Sequence, residues 1–277
     1  MELFNETSLS CSRVITSAYS TSFTLGIKAL DTKFHLPIYA IYGFVRYADE
    51  IVDTFHDHDK MALLKNFRRD TYEAIKYKIS LNPVLHSFQL IVNKFNVGMD
   101  LIDAFLDSME MDLHFNCHDE HTYEKYIYGS AEVVGLMCLK IFCEGDEKKY
   151  EELKSSARSL GAAFQKVNFL RDIKSDFKER KRVYFPGVDF ENFSEKEKQK
   201  IEKAIQEDFD AAFAGIKVLP KSARKGVYLA YIYYTTLFRK IRKVPSTKIM
   251  EIRIRVSDNQ KVALLIKTVF RSYFNSL

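Results

Sequence analysis

Glycine and proline are scarce in this sequence, ten and five among 277 residues. With so few turn formers, and with apolar residues recurring at a spacing near 3.6, an all-helical fold is favoured. No Pro-, Gly- or Ser-rich stretch marks a linker, so one domain over residues 1–277 is expected. The four cysteines (Cys11, Cys117, Cys138, Cys143) match no disulfide framework of a secreted protein and follow no signal peptide, which points to the reducing cytoplasm. No run of 18 or more uncharged apolar residues occurs, so no membrane span is expected; peripheral attachment to the cytoplasmic face of a membrane stays open. A Gly-rich phosphate loop, a Walker motif and a nucleophile elbow are all missing, which removes ATP hydrolysis and Rossmann-type dinucleotide binding as leading ideas. Tryptophan is absent too, yet Phe and Tyr make up 14% of the chain, enough for a large core or for the walls of an apolar tunnel. The net charge of +5 is dispersed over both signs and argues against a nucleic-acid partner. It suits anionic phosphates or an anionic membrane face.

Periodicity places helices at about 7–20, 36–56, 60–79, 83–95, 99–115, 122–143, 147–179, 194–215, 220–243 and 258–275. Pro37 fits the first position of the second, and "SEKE" (194–197) reads as a capping box for the eighth. "EIRIRV" (251–256) alternates with period two, but a lone strand has no partner, so a helix end or extended loop is expected. "RVYFPGVDF" (182–190) is a loop able to fold over whatever the preceding helix binds.

Two stretches carry chemistry. In "GFVRYADEIVDTF" (43–55), Asp49 and Asp53 share a face with Ile38, Tyr42, Val45 and Val52 on a helix that is apolar nearly all round. Two carboxylates on a buried helix are costly unless a cation meets them, and Arg46 in an ordinary ion pair is the structural alternative. In "NFLRDIKSDF" (168–177), Asn168, Asp172 and Asp176 recur at four-residue steps beside Arg171, and Gln165 and Gly161 extend the row. Alone, that row equally describes the solvated face of an amphipathic helix. Facing each other across a cavity, the two rows would supply four or five hard oxygens of the kind Mg2+ prefers when it bridges carboxylates to phosphates. Arg46 and Arg171 then stand where a diphosphate needs neutralising. A competing metal reading lies in "HFNCHDEH" (114–121), where His114, Cys117, His118 and His121 have N/S spacing for zinc, although the acidic neighbours suit a polar helix end. In "YIYGSAEVVGLMC" (126–138), small residues interrupt an apolar helix, serving either close helix packing or room for a ligand.

Together these segments resemble the squalene and phytoene synthase family over most of the chain. "RYADEIVD" (46–53) is similar to its first aspartate-rich motif, and "GAAFQKVNFLRDIKSDFKERKRVYFP" (161–186) to its second, with Gln165, Asn168, Arg171, Asp172, Asp176, Arg182, Tyr184 and Pro186 in place. "YSTSF" (19–23) resembles the amino-terminal element through Ser22 and Phe23, and "RIRVSDNQK" (253–261) the carboxy-terminal stretch through Arg253. One departure is Glu132, which stands where the family usually has glycine.

The resemblance implies an all-α isoprenoid synthase helical bundle around a central cavity. It implies Asp49, Asp53, Asn168, Asp172 and Asp176 as Mg2+ ligands, with Mn2+ as a substitute, and Arg46, Arg171, Arg253, Gln165 and Tyr126 on the phosphates. A further tyrosine on the penultimate long helix is expected among Tyr228, Tyr231 and Tyr234, with Tyr231 preferred. The implied reaction is head-to-head (1′–1) condensation of two prenyl diphosphates: two geranylgeranyl diphosphates giving phytoene, or alternatively two farnesyl diphosphates giving squalene or dehydrosqualene. NADPH enters only if squalene is the product. Head-to-tail elongation would show DDxxD spacing, which "DEIVD" and "DIKSD" lack, and a non-catalytic scaffold would have lost a carboxylate. A long hydrocarbon product should leave into lipid, so membrane contact is expected.

Overall fold

A computed structural model describes residues 1–114, 117–179 and 181–273. Its helices are α1 (Glu2–Tyr19), α2 (Thr21–Lys28), α3 (Thr32–Asp53), α4 (Lys60–Tyr77), α5 (Pro83–Phe95), α6 (Met99–His114), α7 (Glu120–Ile127), α8 (Val133–Cys143), α9 (Glu147–Ile173), α10 (Glu195–Val218), α11 (Lys221–Arg242), α12 (Ser246–Ile249) and α13 (Asp258–Tyr273). Among the described residues there is no strand. The all-helical expectation holds.

Local chemistry sets the boundaries. Asp31, Asp59 and Asp146 each accept a backbone N–H at a helix start, and Asn82 does so ahead of Pro83 at the first helical position. The capping box expected at Ser194 and Glu197 is present, and Asp119 and Thr122 form a second. Several expected boundaries need correction. The Asp31 cap starts α3 at Thr32, so Pro37 lies inside the helix rather than at its head. A separate helix, α2, follows Ser20, whose hydroxyl accepts from the Phe23 N–H. The expected end of the last helix at residue 275 lies outside the described residues.

"EIRIRV" is an extended loop that alternates because Ile254 and Val256 turn into the core while Arg253 and Arg255 stay exposed. A period-two pattern needs only an extended backbone with one buried side, not a sheet.

Among the described residues two helical runs contain a π-helical turn, Tyr128–Glu132 between α7 and α8 and Lys174–Glu179 at the end of α9. Such turns shift the side-chain register and concentrate at functional sites. The stretch 120–143 is long and apolar enough, by length and composition alone, to cross a membrane, although Glu120, Glu124, Lys125, Glu132 and Lys140 interrupt it. Here its Val133, Leu136, Met137 and Ile141 are sealed in the core.

Among the described residues the bundle has two apolar clusters. One gathers α3, α5, α6 and α8 around Phe44, which stacks on Phe88 with centroids 3.8 Å apart. The other gathers α9, α10, α11 and the 183–193 loop around Phe209 and Phe238. Between the helices lies a cavity of about 350 Å³.

Close helix approach makes that cavity's wall. A Cβ on Gly161 of α9 would meet the Ala131 carbonyl oxygen at 2.5 Å, and one on Gly135 of α8 would meet that of Ala157 at 2.8 Å. Sequence numbers therefore run in opposite directions along α8 and α9. Because both obstacles are backbone, Gly161→Ala should lower stability by about 1–3 kcal/mol, read as a shift in the urea unfolding midpoint at unchanged m-value.

Candidate active site

The cavity walls follow helical spacing. Ile38, Ile41, Tyr42 and Val45 of α3 line one side, and Leu153, Ala157, Leu160, Gly161, Phe164, Gln165 and Asn168 of α9 line another. Ser22, Phe23 and Gly26 of α2, the small residues Ser130, Ala131 and Gly135, and Tyr233 and Tyr234 of α11 complete it, with Lys261 and Leu264 of α13 at its edge. Leu30, Phe142, Leu153 and Leu219 line its far end. Fifteen residues of α9 separate Leu153 from Asn168, about 22 Å of helix.

Adding four to the last cavity-facing residue of each helix gives the aspartates. Val45 leads to Asp49 and Asp53 on α3; Asn168 leads to Asp172 and Asp176 on α9 and its π-helical turn. Asp49, Asp53 and Asp172 therefore prolong the apolar cavity stripes by one or two turns, at the same end of two helices that run in the same direction, whereas Asp176 falls in the π-helical turn and lines a small pocket with Phe169, Ile173, Arg182 and Tyr184. This is the mouth.

Arginines hold these carboxylates. Arg46 donates to Asp49 and to Glu50, and its guanidinium lies 4.3 Å from the Tyr19 ring centroid. Asp172 receives the Nε of Arg171 at 3.1 Å and that of Arg253 at 2.8 Å. Arg182 reaches across the mouth: its Nη1 donates to Asp53 Oδ1 at 3.0 Å, its Nη2 to the Asp112 backbone carbonyl at 3.1 Å, and its backbone N–H to the Asp176 carbonyl at 2.8 Å. Asp176 itself is buried.

Of the residues named from sequence, Ser22, Phe23, Gln165 and Asn168 line the cavity, and Arg46, Asp49, Asp53, Arg171, Asp172, Asp176 and Arg253 gather beyond its α3 and α9 walls. Two placements are corrected. Tyr126 does not face the cavity; it is buried, and its hydroxyl donates to Asp112 at 2.9 Å. Tyr231 packs against Phe209 and Phe213 outside the cavity, and of Tyr228, Tyr231 and Tyr234 it is Tyr234, next to Tyr233, that lines it. Tyr234 stacks on Phe164 at 3.9 Å and donates to Asn168 Oδ1 at 3.3 Å, and burial pushes its hydroxyl up to about 12. Glu132 turns away from the cavity and accepts from Arg158 Nε at 2.6 Å, tying the α8 end of the wall to α9.

The zinc reading fails on geometry. His118 is buried against Tyr126 and Tyr184, whereas His114, Cys117 and His121 are exposed. Among the described residues no three His, Cys, Asp or Glu side chains form a cluster able to hold a metal ion as they stand.

From the sequence, Asp112 of α6 belongs with the acidic residues of a polar helix end, and the structure places it instead behind the mouth. Its side chain is only 6% exposed, it accepts from the Tyr126 and Tyr184 hydroxyls at 2.9 and 3.4 Å, and it lies 3.7 Å from Arg182 Nη1. A signal existed: Asp112 follows Phe105 and Ser108 at helical spacing on the buried face of α6, where a carboxylate does not belong unless it is paired.

The donor set fits a hard divalent cation. Carboxylates and one amide oxygen on two facing walls are the chemistry such an ion selects, and the arginines that hold them now supply the positive charge the carboxylates require. Arg46 Nε, buried without a hydrogen-bond partner, adds an unsatisfied donor for an anion beside them.

An all-helical bundle with an apolar cavity rimmed by carboxylates and arginines defines the isoprenoid synthase class. The family model for squalene/phytoene synthase matches residues 16–260, and the chain belongs to that family. Members of that family depend on a divalent metal and join prenyl diphosphates head to head, and this chain is a prenyltransferase of that family. It is 23% identical over 247 residues to 4,4'-diapophytoene synthase of Staphylococcus haemolyticus, covering 81% of this chain and 84% of that one. It is 28% identical over 162 residues to presqualene diphosphate synthase of Rhodopseudomonas palustris, covering 57% and 56%. A solved dehydrosqualene synthase with a bound ligand shares the fold, with a TM-score of 0.83, 21% identity and coverage of 99% of this chain and 98% of that one. Squalene synthase from Alicyclobacillus acidocaldarius follows with a TM-score of 0.76, 19% identity and coverage of 86% and 94%.

Burial pushes the Asp112 carboxyl up to about 7, against the pull of Arg182 and the Tyr126 hydroxyl. The native state therefore holds a proton that the unfolded chain has released, between the ordinary value of 3.8 and about 7. Stability of the metal-free protein should fall as pH rises through that window, and Asp112→Asn should flatten the slope, measured by urea unfolding at several pH values.

Proposed function

We propose that this enzyme condenses two farnesyl diphosphates head to head into a C30 hydrocarbon by way of a cyclopropylcarbinyl diphosphate. The single observation that carries the reaction type is the continuation of two apolar cavity stripes into facing aspartate rows. It joins a dry compartment for prenyl chains to a charged mouth for diphosphates. The C15 pair is favoured by the matches to 4,4'-diapophytoene synthase and dehydrosqualene synthase, each spanning most of this chain, over the C20 pair and phytoene suggested by the sequence resemblance.

Asp49, Asp53, Asn168, Asp172 and Asp176 would hold the divalent cation, Mg2+ or Mn2+, which when bound neutralises the leaving diphosphate. Arg46, Arg171 and Arg253 orient the diphosphates, and Gln165 and Tyr234 lie where the cavity meets the mouth. The first substrate loses diphosphate to give an allylic cation. The double bond of the second attacks it, a proton departs, and the cyclopropane closes. A second loss of diphosphate and rearrangement then give the C30 skeleton, ending in proton loss for dehydrosqualene or in hydride addition from NADPH for squalene. Throughout, the apolar walls and the rings of Phe164, Tyr233 and Tyr234 exclude the water that would trap a cation as an alcohol. The product is insoluble in water, so contact with the cytoplasmic face of a membrane belongs to the same proposal.

Incubation with Mg2+ and either farnesyl or geranylgeranyl diphosphate, with and without NADPH, followed by hydrocarbon analysis, tests the reading. A C30 product from the shorter substrate is expected; a C40 product restores phytoene, and neither product on folded protein would overturn the catalytic reading. Asp172→Ala should abolish turnover with the helical circular dichroism unchanged, whereas melting of the fold would mark Asp172 as a structural ion-pair partner.

A further inference from the structure

Arg182 is the cation that spans the mouth. It stands on the loop after α9, yet its guanidinium serves Asp53 of α3 and Asp112 of α6 together, while its backbone N–H holds the carbonyl of Asp176. Two helices meet on its side chain, which is only 12% exposed, and the end of α9 meets its backbone. Behind it, Asp112 is fixed by the hydroxyls of Tyr126 and Tyr184, and the Tyr184 ring stacks on Phe169 at 4.0 Å with an interplanar angle of 3°. The anchor is held by two tyrosines, and its side chain is less exposed than those of Asp49, Asp53 and Asp172. Asp53, by contrast, is a ligand in the proposed metal set, so its link to Arg182 and its link to a metal ion compete.

We propose that Arg182 is an internal counter-ion for the carboxylates of the mouth, that a divalent cation displaces it from Asp53, and that Asp112 is the positioning residue that keeps the displaced guanidinium parked. The inference rests on the metal-binding reading above. Its physical basis is charge balance: Arg182 lies within ion-pair distance of both Asp53 and Asp112, and the charges of Asp53 and Asp49 push the Asp112 carboxyl up. Without a metal, the mouth needs a cation built into the chain. When the metal arrives, the same arginine must move off one carboxylate without leaving its own charge buried and unpaired. Asp112 supplies the second carboxylate that allows it.

The consequence has opposite signs for the two partners. Removing Arg182 abolishes the competitor, so metal should bind more tightly. Removing the charge of Asp112 drives Arg182 fully onto Asp53, so metal should bind more weakly. A residue that merely props up the fold would weaken binding in both cases.

The test is direct Mn2+ binding, followed by the electron paramagnetic resonance signal of the free ion at pH 8 without any diphosphate, on the full chain. Arg182→Gln should bind Mn2+ about fivefold more tightly than the parent, the order expected on removing one competing ion pair in a partly screened site. Asp112→Asn should bind several-fold more weakly. In the double variant the Asp112 change should have no further effect, because its action passes through Arg182. Arg182→Lys, which keeps the charge but loses the fork that bridges two carboxylates, should lie between parent and Arg182→Gln and serves if the latter does not fold. Equal or weaker binding by folded Arg182→Gln or Arg182→Lys overturns the proposal. So does a double variant weakened by the same factor as Asp112→Asn, which would show a through-space effect of Asp112 alone. Where the parent binds Mn2+ only with inorganic pyrophosphate added, the same comparison is made in its presence; no binding under either condition would overturn the metal-site reading on which the proposal stands.

Discussion

Asp49, Asp53 and Asp172 each lean on an arginine, and they do so at the rim of an apolar cavity. A carboxylate beside a low-dielectric compartment is tolerable only with a cation in contact, and Arg46, Arg182, Arg171 and Arg253 converge from four different segments to provide one. Most other features of the molecule follow from that requirement. The helices that carry the aspartates must run in the same direction to bring both rows to one end. The loop after α9 must return across the mouth to deliver Arg182, and the extended 252–257 segment must pass close enough for Arg253 to reach Asp172.

The cavity imposes a second constraint, which small residues meet. Gly161, Gly135 and Ala131 allow α8 and α9 to touch backbone to backbone, so the wall is thin and smooth rather than bristling with side chains. The π-helical turn at Tyr128–Glu132 shifts the register at that contact. As a result Ser130 and Ala131 line the cavity, while Glu132 points outward to Arg158. A carboxylate that the sequence sets beside the expected tunnel wall is thereby kept out of it.

Much of the site was legible because helical periodicity is rigid. Once α3 and α9 are helices, four-residue spacing alone puts Asp49 and Asp53 in one row, and Asn168 and Asp172 in another; Asp176, in the π-helical turn, is not placed by it. The tyrosines were not legible in the same way. Tyr228, Tyr231 and Tyr234 follow one another at three-residue steps on α11, and an amphipathic pattern with aromatics on several faces does not say which face meets the cavity. Tyr126 read as a phosphate contact until its distance from Asp112 made it a support for that carboxyl.

The sequence by itself determined the helical class, most of the helices and the two aspartate rows, because capping residues and 3.6-residue periodicity act within a few positions of the chain. It also carried the family resemblance through local motifs. Tertiary structure alone decided what lies opposite each row. It put Asp112, nearly sixty residues beyond Asp53, on the same arginine, chose Tyr234 over Tyr231 and turned Glu132 outward. The reason is that an ion pair in a low-dielectric rim depends on distances of a few ångströms between groups far apart in the chain. No local pattern encodes such distances; only the packing of α3, α6, α9 and the loop that follows them sets them.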